Sequence, residues 1–288
     1  MSSADNLQDW VGRTETRTDV IGVERCVAMQ AALDSPVFGG SRPLAGGDAL
    51  PPLWHWLYFW DIAARSGLGR DGHPALSGEF LPPVGPARRM WAGSRVSFPG
   101  FLKLGAPATR VSTIDKITEK EGRTGRLVFV TVRHEVSGGE GLAVVDEHDI
   151  VYREDTGEAG ASARPGEPAP DDAEWRETVE PDPTLLFRYS AITFNGHRIH
   201  YDRDYATGVE GYGGLVVHGP LLATYMCGLA GHAWSDRPVT GFEFRGMRPV
   251  FDTETFTVCG RADGGDAIDV WVANGAGHLA MRGRTSFG

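Results

Sequence analysis

Two stretches, R-L-V-F-V-T-V-R-H-E-V at 126–136 and L-A-V-V-D-E-H-D-I-V-Y at 142–152, are rich in β-branched and aromatic residues and separated by the glycine-bearing turn V-S-G-G-E-G. That pattern predicts neighbouring antiparallel strands. R-V-S-F at 95–98 and T-R-V-S-T-I at 109–114 read as two more. Ahead of them, V-I-G-V-E-R-C-V-A-M-Q-A-A-L at 20–33 and W-H-W-L-Y-F-W-D-I-A-A-R at 54–65 have helical length and spacing, the second approached through Pro51 and Pro52. After residue 174 the same order returns: a short apolar lead-in, a helix from about 219 to 231, then strands near 239–246, 254–261, 266–273 and 278–285.

One helix followed by an antiparallel sheet, written twice, predicts an α+β pseudo-dimer. A helix wrapped by its own sheet must be apolar nearly all round. P-L-L-A-T-Y-M-C-G-L-A-G-H-A-W at 220–234 meets that demand, with no charged side chain when His232 is neutral. The run 155–172, D-T-G-E-A-G-A-S-A-R-P-G-E-P-A-P-D-D, is rich in Gly, Pro, Ala and acid and reads as a linker. The expected division is therefore an N-terminal half over 1–154, a linker over 155–173 and a C-terminal half over 174–288.

Composition narrows the class of function. A formal net charge of −10 argues against a nucleic-acid or anionic-membrane surface, which needs clustered Lys and Arg. Three cysteines, Cys26, Cys227 and Cys259, lie far apart without CxxC spacing, so neither a zinc cage nor an even set of disulfides is expected. The N-terminal M-S-S-A-D-N-L-Q-D-W lacks a basic n-region and an apolar h-region, and no apolar run reaches the length of a membrane span. A cytoplasmic protein is expected.

Candidate chemistry concentrates in R-Y-S-A-I-T-F-N-G-H-R-I-H-Y-D-R-D-Y-A at 188–206. A neutral imidazole has the unperturbed pKa nearest working pH, so His200 or His197 suits a residue that takes a proton from water and returns it. Asn195 cannot titrate, but its amide can hold a water. His197, His200 and His218 with Asp202 also offer metal-ligand atoms, but the spacing is not H-E-x-x-H, and no metal or other cofactor is expected. In G-G-L-V-V-H-G-P-L-L-A-T-Y-M at 213–226, Gly219 precedes Pro220 at a helix start, where free N–H groups and the helix dipole favour an enolate oxygen. The basic stretch F-R-G-M-R-P-V-F at 244–251, with Arg282 and Arg284, offers phosphate contacts, with solvated arginines as the plainer alternative. The aromatic set at 53–60 reads as core, and M-W-A-G-S at 90–94 as a wall of an acyl pocket.

These motifs resemble those of the MaoC-like hydratases and dehydratases, whose fold is the hotdog, here in double-hotdog form. The family motif D-x-N-P-x-H, followed by five residues and a small one, falls on N-G-H-R-I-H, then Y-D-R-D-Y, then Ala206. The F-N-G-H-R-I-H-Y-D form, with V-H-G-P-L-L-A, L-P-P-L-W-H-W and R-R-M-W-A-G-S, resembles a sub-branch holding mesaconyl-C4-CoA (3-methylfumaryl-CoA) and itaconyl-CoA hydratases and mitochondrial-type 3-hydroxyacyl-thioester dehydratases. The resemblance implies a hydro-lyase acting on an acyl-CoA or acyl-carrier-protein thioester, as a homodimer or a pseudo-dimeric monomer. It implies His200 as catalytic base, Asn195 at the family's catalytic Asp position and Gly219 at the enolate oxygen. Arg198, Tyr201, His218, Arg245 and Trp91 are the expected substrate contacts. It further implies that the N-terminal half lost its catalytic segment and shapes the acyl pocket, in keeping with the lack of an N-G-H-x-x-H run before residue 156. A thioesterase of the same fold and a non-catalytic acyl-thioester binding module are the rival readings.

Overall fold

The computed structural model describes residues 6–39, 42–75, 80–84, 87–122, 125–154 and 166–288. The alternating runs form strands, all in one ten-stranded sheet. In chain order they are β1 (Thr14–Val20), β2 (Ala87–Ser97), β3 (Pro107–Gly122), β4 (Gly125–Gly138), β5 (Gly141–Glu154), β6 (Trp175–Val179), β7 (Val239–Gly246), β8 (Phe256–Ala262), β9 (Ala267–Ala273) and β10 (Leu279–Phe287). Their spatial order is β1-β3-β4-β5-β2-β7-β10-β9-β8-β6. Adding five to each strand number of the first half reproduces the second half in reverse. The chain thus holds two copies of one five-stranded layout, joined edge to edge where β2 pairs antiparallel with β7. Such joining removes two exposed sheet edges that would otherwise invite aggregation.

The helices break the likeness. In the second half α2 (Pro183–Thr193) and α3 (Gly219–Ala233) lie between β6 and β7. In the first half only α1 (Val23–Leu33) stands between β1 and β2, and the described remainder forms short 3-10 turns. α3 is the central helix expected from its all-round apolar surface: Leu221, Leu222, Ala223, Tyr225, Met226, Cys227, Leu229 and Ala230 are all buried. Phe38 from the first half packs on it so closely that a Cβ at Gly228 would fall 2.3 Å from the ring.

The helix expected over 54–65 does not form. Leu53 and Phe59 have positive φ, 69° and 58°, and confine the helical turn to Trp54–Leu57. Leu53, Trp54, Leu57, Tyr58 and Phe59 are all buried, so apolar side chains point in every direction and a 3.6-residue period carried no information there. The turn instead brings His55 and Trp56 onto Asp146 of β5, whose Oδ2 accepts the Trp56 Nε1–H at 2.8 Å. Conversely, α2 stands where only an apolar lead-in was expected. Its start is a standard one, with the Asp182 carboxylate accepting from the Leu185 N–H at 2.6 Å and Pro183 in the first turn.

Residues 155–165 of the expected linker lie outside the described residues. Residues 166–173 are not free linker: Pro168 bridges to His278, and Ala169 and Ala173 pack against Cys259, Trp271 and Leu279. No helix among the described residues is long and apolar enough to cross a membrane. Cys26, Cys227 and Cys259 are buried free thiols.

Candidate active site

α2 delivers the polar segment. It ends on Phe194 in the left-handed conformation (φ 54°), and the Asn195 N–H closes back onto the Ser190 carbonyl at 2.8 Å. The Asn195 Oδ1 then accepts from the His197 N–H at 3.0 Å, an Asx turn that leads into the 3-10 turn Arg198–His200. That bond fixes the amide: oxygen faces the backbone, leaving the Nδ2 donors for the site.

His200 is 7% exposed. Its Nδ1 lies 2.7 Å from the Val216 carbonyl, which can only accept, so Nδ1 carries the proton and Nε2 presents a bare lone pair. His218, the N-cap of α3, stacks on the His200 ring with centroids 3.6 Å apart and an interplanar angle of 18°. Its own Nε2 meets the Ser190 Oγ at 2.8 Å. Burial, helped by nearby His197, pushes His200 down to about 3, and burial with the proximity of His200 holds His218 well below the usual histidine range. Both are neutral at neutral pH. A negative charge developing beside His200 would raise its basicity again, because opposite charge favours the imidazolium.

Gly219 opens α3, and its N–H has no hydrogen-bond partner among the described residues. A Cβ there would meet nothing nearer than Met281 Cε at 3.9 Å. Packing therefore does not demand glycine at 219. An apolar-walled cavity of about 280 Å³ reaches the polar segment at Asn195, lined by Leu68, Pro74, Phe187, Ser190, Asn195 and Tyr201 among others; neither His200 nor Gly219 is in its lining.

The remaining expected substrate contacts fare unevenly. Tyr201 lines the cavity and donates its hydroxyl to the Gly196 carbonyl at 2.9 Å. Arg198 is occupied within the segment: Nη2 meets Asp202 at 2.7 Å, Nη1 meets the Arg70 carbonyl at 3.1 Å, and the guanidinium lies 4.1 Å over the Tyr205 ring. His218 is 0% exposed, covered by the His200 ring it stacks on. Arg245 is exposed on β7, directly after buried Phe244, and strand alternation puts it on the face opposite to the buried Phe242 and Phe244. Arg284 pairs with Asp263 and Asp269 as a surface ion pair. Trp91 stacks on His148 at 4.1 Å and gives its Nε1–H to the Gly93 carbonyl at 3.0 Å, a wall residue of the first half outside the 280 Å³ cavity's lining.

The proposed ligand set of His197, His200, His218 and Asp202 is not assembled. Nearly parallel stacked rings cannot aim their lone pairs at one ion, and Asp202 is held by Arg198. A different group sits beside His197. Asp71, His73 and His197 bring their donor atoms within 4.8 Å of one another. Yet the His73 Nδ1 is already bonded to Asp71 Oδ2 at 2.8 Å, so these residues are organised as an Asp–His pair next to a third imidazole. The His73 and His197 rings lie 4.2 Å apart and those of His197 and His200 5.3 Å. Four imidazoles thus run in a row from His73 to His218. Asp71 and His73 escaped notice in the sequence, although D-G-H at 71–73 repeats the form of N-G-H at 195–197.

His200 and His218 are buried and His134, His148 and His197 half-buried, and all five are held below 6.5, foremost by desolvation. A histidine whose folded-state pKa is depressed contributes full stability above its unfolded pKa, and that contribution is lost as pH falls through the unfolded value. Acidification from pH 7 to 5 should therefore lower the thermal midpoint steadily, each neutral buried histidine costing about 1–2 kcal/mol at the lower pH. Circular dichroism melts across that range check this; a flat or rising midpoint would contradict the burial of these rings.

Comparison with known proteins bears on the same segment. The family model for hydroxyacyl-thioester dehydratase type 2 matches residues 53–252. The chain is 46% identical over 288 residues, all of both chains, to the mesaconyl-C(4)-CoA hydratase of Chloroflexus aurantiacus. A MaoC-like dehydratase from Phytophthora capsici superposes with a TM-score of 0.70 at 14% identity, covering 98% of each chain. A double-hotdog protein of Mycobacterium tuberculosis superposes with a TM-score of 0.60 at 12% identity, covering 96% of each.

Proposed function

The chain belongs to the hydroxyacyl-thioester dehydratase type 2 family, built as a double hotdog, and from that premise we propose that it reversibly hydrates a short, branched dicarboxylic acyl-CoA of the mesaconyl-C4-CoA type. The enzyme is a hydro-lyase, and one observation carries its chemistry: His200 offers a bare Nε2, locked by the Val216 carbonyl and the His218 ring. In the hydration direction His200 takes a proton from water as the water oxygen bonds to the β-carbon. The electrons move onto the thioester oxygen, and the Gly219 N–H holds the resulting enolate. The Asn195 Nδ2 donors steer the water.

Several features support the narrower substrate. Full-length identity of 46% is to a protein named for that acyl group, and a cavity of about 280 Å³ lies at the small end for ligand sites, which suits a short acyl chain. The N-terminal half, 1–154, shapes that pocket while the C-terminal half, 174–288, carries the catalytic segment. Two fused copies of the hotdog layout favour a pseudo-dimeric monomer over a homodimer, and three unpaired buried thiols accord with a reducing cytoplasm. A thioesterase fits poorly, since α3 contains no Asp or Glu.

Incubating the protein with mesaconyl-C4-CoA, itaconyl-CoA, a straight-chain enoyl-CoA and an enoyl-acyl carrier protein separates the readings. Loss of the conjugated enoyl-thioester absorbance, fastest with the C4 dicarboxylate and without thiol release, is the expected result. Fastest turnover on the carrier-protein thioester would make it a synthetic dehydratase. Thiol release would make it a thioesterase, and neither change would leave a binding module.

A further inference from the structure

A hydratase needs a second proton transfer, to the α-carbon of the enolate, and the residue at the family's carboxylate position cannot make it. Asn195 spends its oxygen on the His197 N–H and offers only amide donors. We infer that His73, oriented by Asp71, is that second proton-transfer residue, supplied to the site by the N-terminal half. The inference rests on the hydratase reading above.

The contact that brings it there is built into the backbone. Asp71-Gly72-His73 and Asn195-Gly196-His197 form matching Asx turns, the His73 N–H donating to Asp71 Oδ1 at 3.1 Å and the His197 N–H to Asn195 Oδ1 at 3.0 Å. The two turns face each other through their glycines. Gly72 has φ +88°, and a Cβ on it would stand 2.1 Å from the Gly196 carbonyl oxygen; a Cβ on Gly196 would stand 2.8 Å from the Gly72 oxygen. Only glycine at both places lets the chains approach so closely. The Arg198 N–H then donates to the Asp71 carbonyl at 2.8 Å, and the Arg198 guanidinium to the Arg70 carbonyl at 3.1 Å. Residues 70–73 are therefore fixed to the catalytic segment by two hydrogen bonds and a glycine–glycine contact, and Arg198 has its role in that joint.

The chemistry at the joint suits proton transfer. An ionised Asp71 carboxylate only accepts, so the His73 Nδ1 donates to it and Nε2 is the atom left for the site, the arrangement by which a carboxylate fixes an imidazole's tautomer and ring plane. The His73 ring lies 4.2 Å from that of His197, and His197 lies 5.3 Å from His200, so one imidazole separates His73 from the base. His73 is also 22% exposed at its side chain and Asp71 33%, so the pair can exchange protons with solvent between turnovers. The step balances as follows. His200 Nε2 gains the water proton, the hydroxyl oxygen bonds to the β-carbon, and the C=C electrons form the enolate. His73 enters this step as the imidazolium paired with the Asp71 carboxylate: it gives its Nε2 proton to the α-carbon and is left neutral with Nδ1–H on Asp71, the thioester carbonyl reforms, and solvent takes the surplus proton from His200 and returns one to His73 Nε2.

The test uses the full chain with its best enoyl-CoA from the panel above. His73→Ala should lower kcat by about 10²–10³-fold, the range of a lost general acid, with KM changed less than about threefold and the thermal midpoint retained. Asp71→Asn should lower kcat by about tenfold and shift the limb of the pH profile that His73→Ala abolishes. Adding Asn195→Asp to His73→Ala restores a carboxylic acid at the site and should recover at least about tenfold of the lost kcat, as should added imidazole. A wild-type enzyme that hydrates the substrate while His73→Ala stays within threefold of it overturns this inference alone. So does a large loss that neither Asn195→Asp nor imidazole recovers, since a packing role would behave that way. A wild-type chain inactive on every thioester overturns the hydratase reading and this step with it.

Discussion

His200→Ala is expected to abolish most turnover, lowering kcat by about 10³–10⁴-fold, while the protein still folds. The ring gives up its Nδ1–H to the Val216 carbonyl and its face to His218, so truncation removes a lone pair that is locked in direction at the proposed point of attack. The structural cost is limited. It leaves one carbonyl unpaired and opens a gap beside His218, together worth about 2–3 kcal/mol. A 288-residue chain with a continuous sheet tolerates a loss of that size. Steady-state rates and a thermal melt of the same preparation check both halves of the expectation. Near-normal turnover would remove His200 from the mechanism, and the row of imidazoles would then have to be read from its other end, at His73.

The candidate segment was legible in the sequence because its polar residues are crowded into one short stretch: N-G-H-R-I-H at 195–200 must expose several polar groups to one space. α3 was legible for the opposite reason, since no polar stripe interrupts it. Four strands of each half were visible, β2 and β3 too short; the first strand of each half, β1 and β6, was missed, because half-buried positions on it carry charged residues, Glu15, Arg17 and Asp19 in β1 and Glu177 in β6, and leave no continuous apolar face. The aromatic run at 54–65 misled because positive φ at Leu53 and Phe59 is a demand of packing, not of local sequence. Asp71 and His73 stayed hidden because their importance lies in a contact across more than a hundred residues of chain, between glycines that carry no side-chain signal. Arg245, expected from its basic stretch as a phosphate contact, is exposed on β7, whereas His218 is covered by the stack on His200.

Gly93→Ala is expected to destabilise the protein strongly. Gly93 lies where the β2–β7 ladder begins, paired with Asp149 of β5 on one side and Arg245 of β7 on the other, next to an irregularity in the β2–β5 register. A Cβ there would stand 2.2 Å from the Phe244 carbonyl oxygen and 3.3 Å from the Arg245 Cα. Both obstacles are backbone, so no rotamer change relieves them, and the two strands must part. Overpacking of this kind costs about 2–4 kcal/mol, or roughly 5–10 °C in the thermal midpoint of a chain this large. Gly246→Ala is the control: on β7 its Cβ would meet only the Ala92 carbonyl oxygen, at an ordinary 3.8 Å, and stability should barely change. The form of the transition matters as much as its midpoint. β2 and β7 make the two halves one sheet, with a core cluster running from Ile21 and Leu53 through to Phe287, so the weakened protein should still melt in one step. Two separated transitions in Gly93→Ala would mean that each half holds its own structure. The close fit of the Asp71 and Asn195 turns would then be what keeps the site assembled, and not the seam of the sheet.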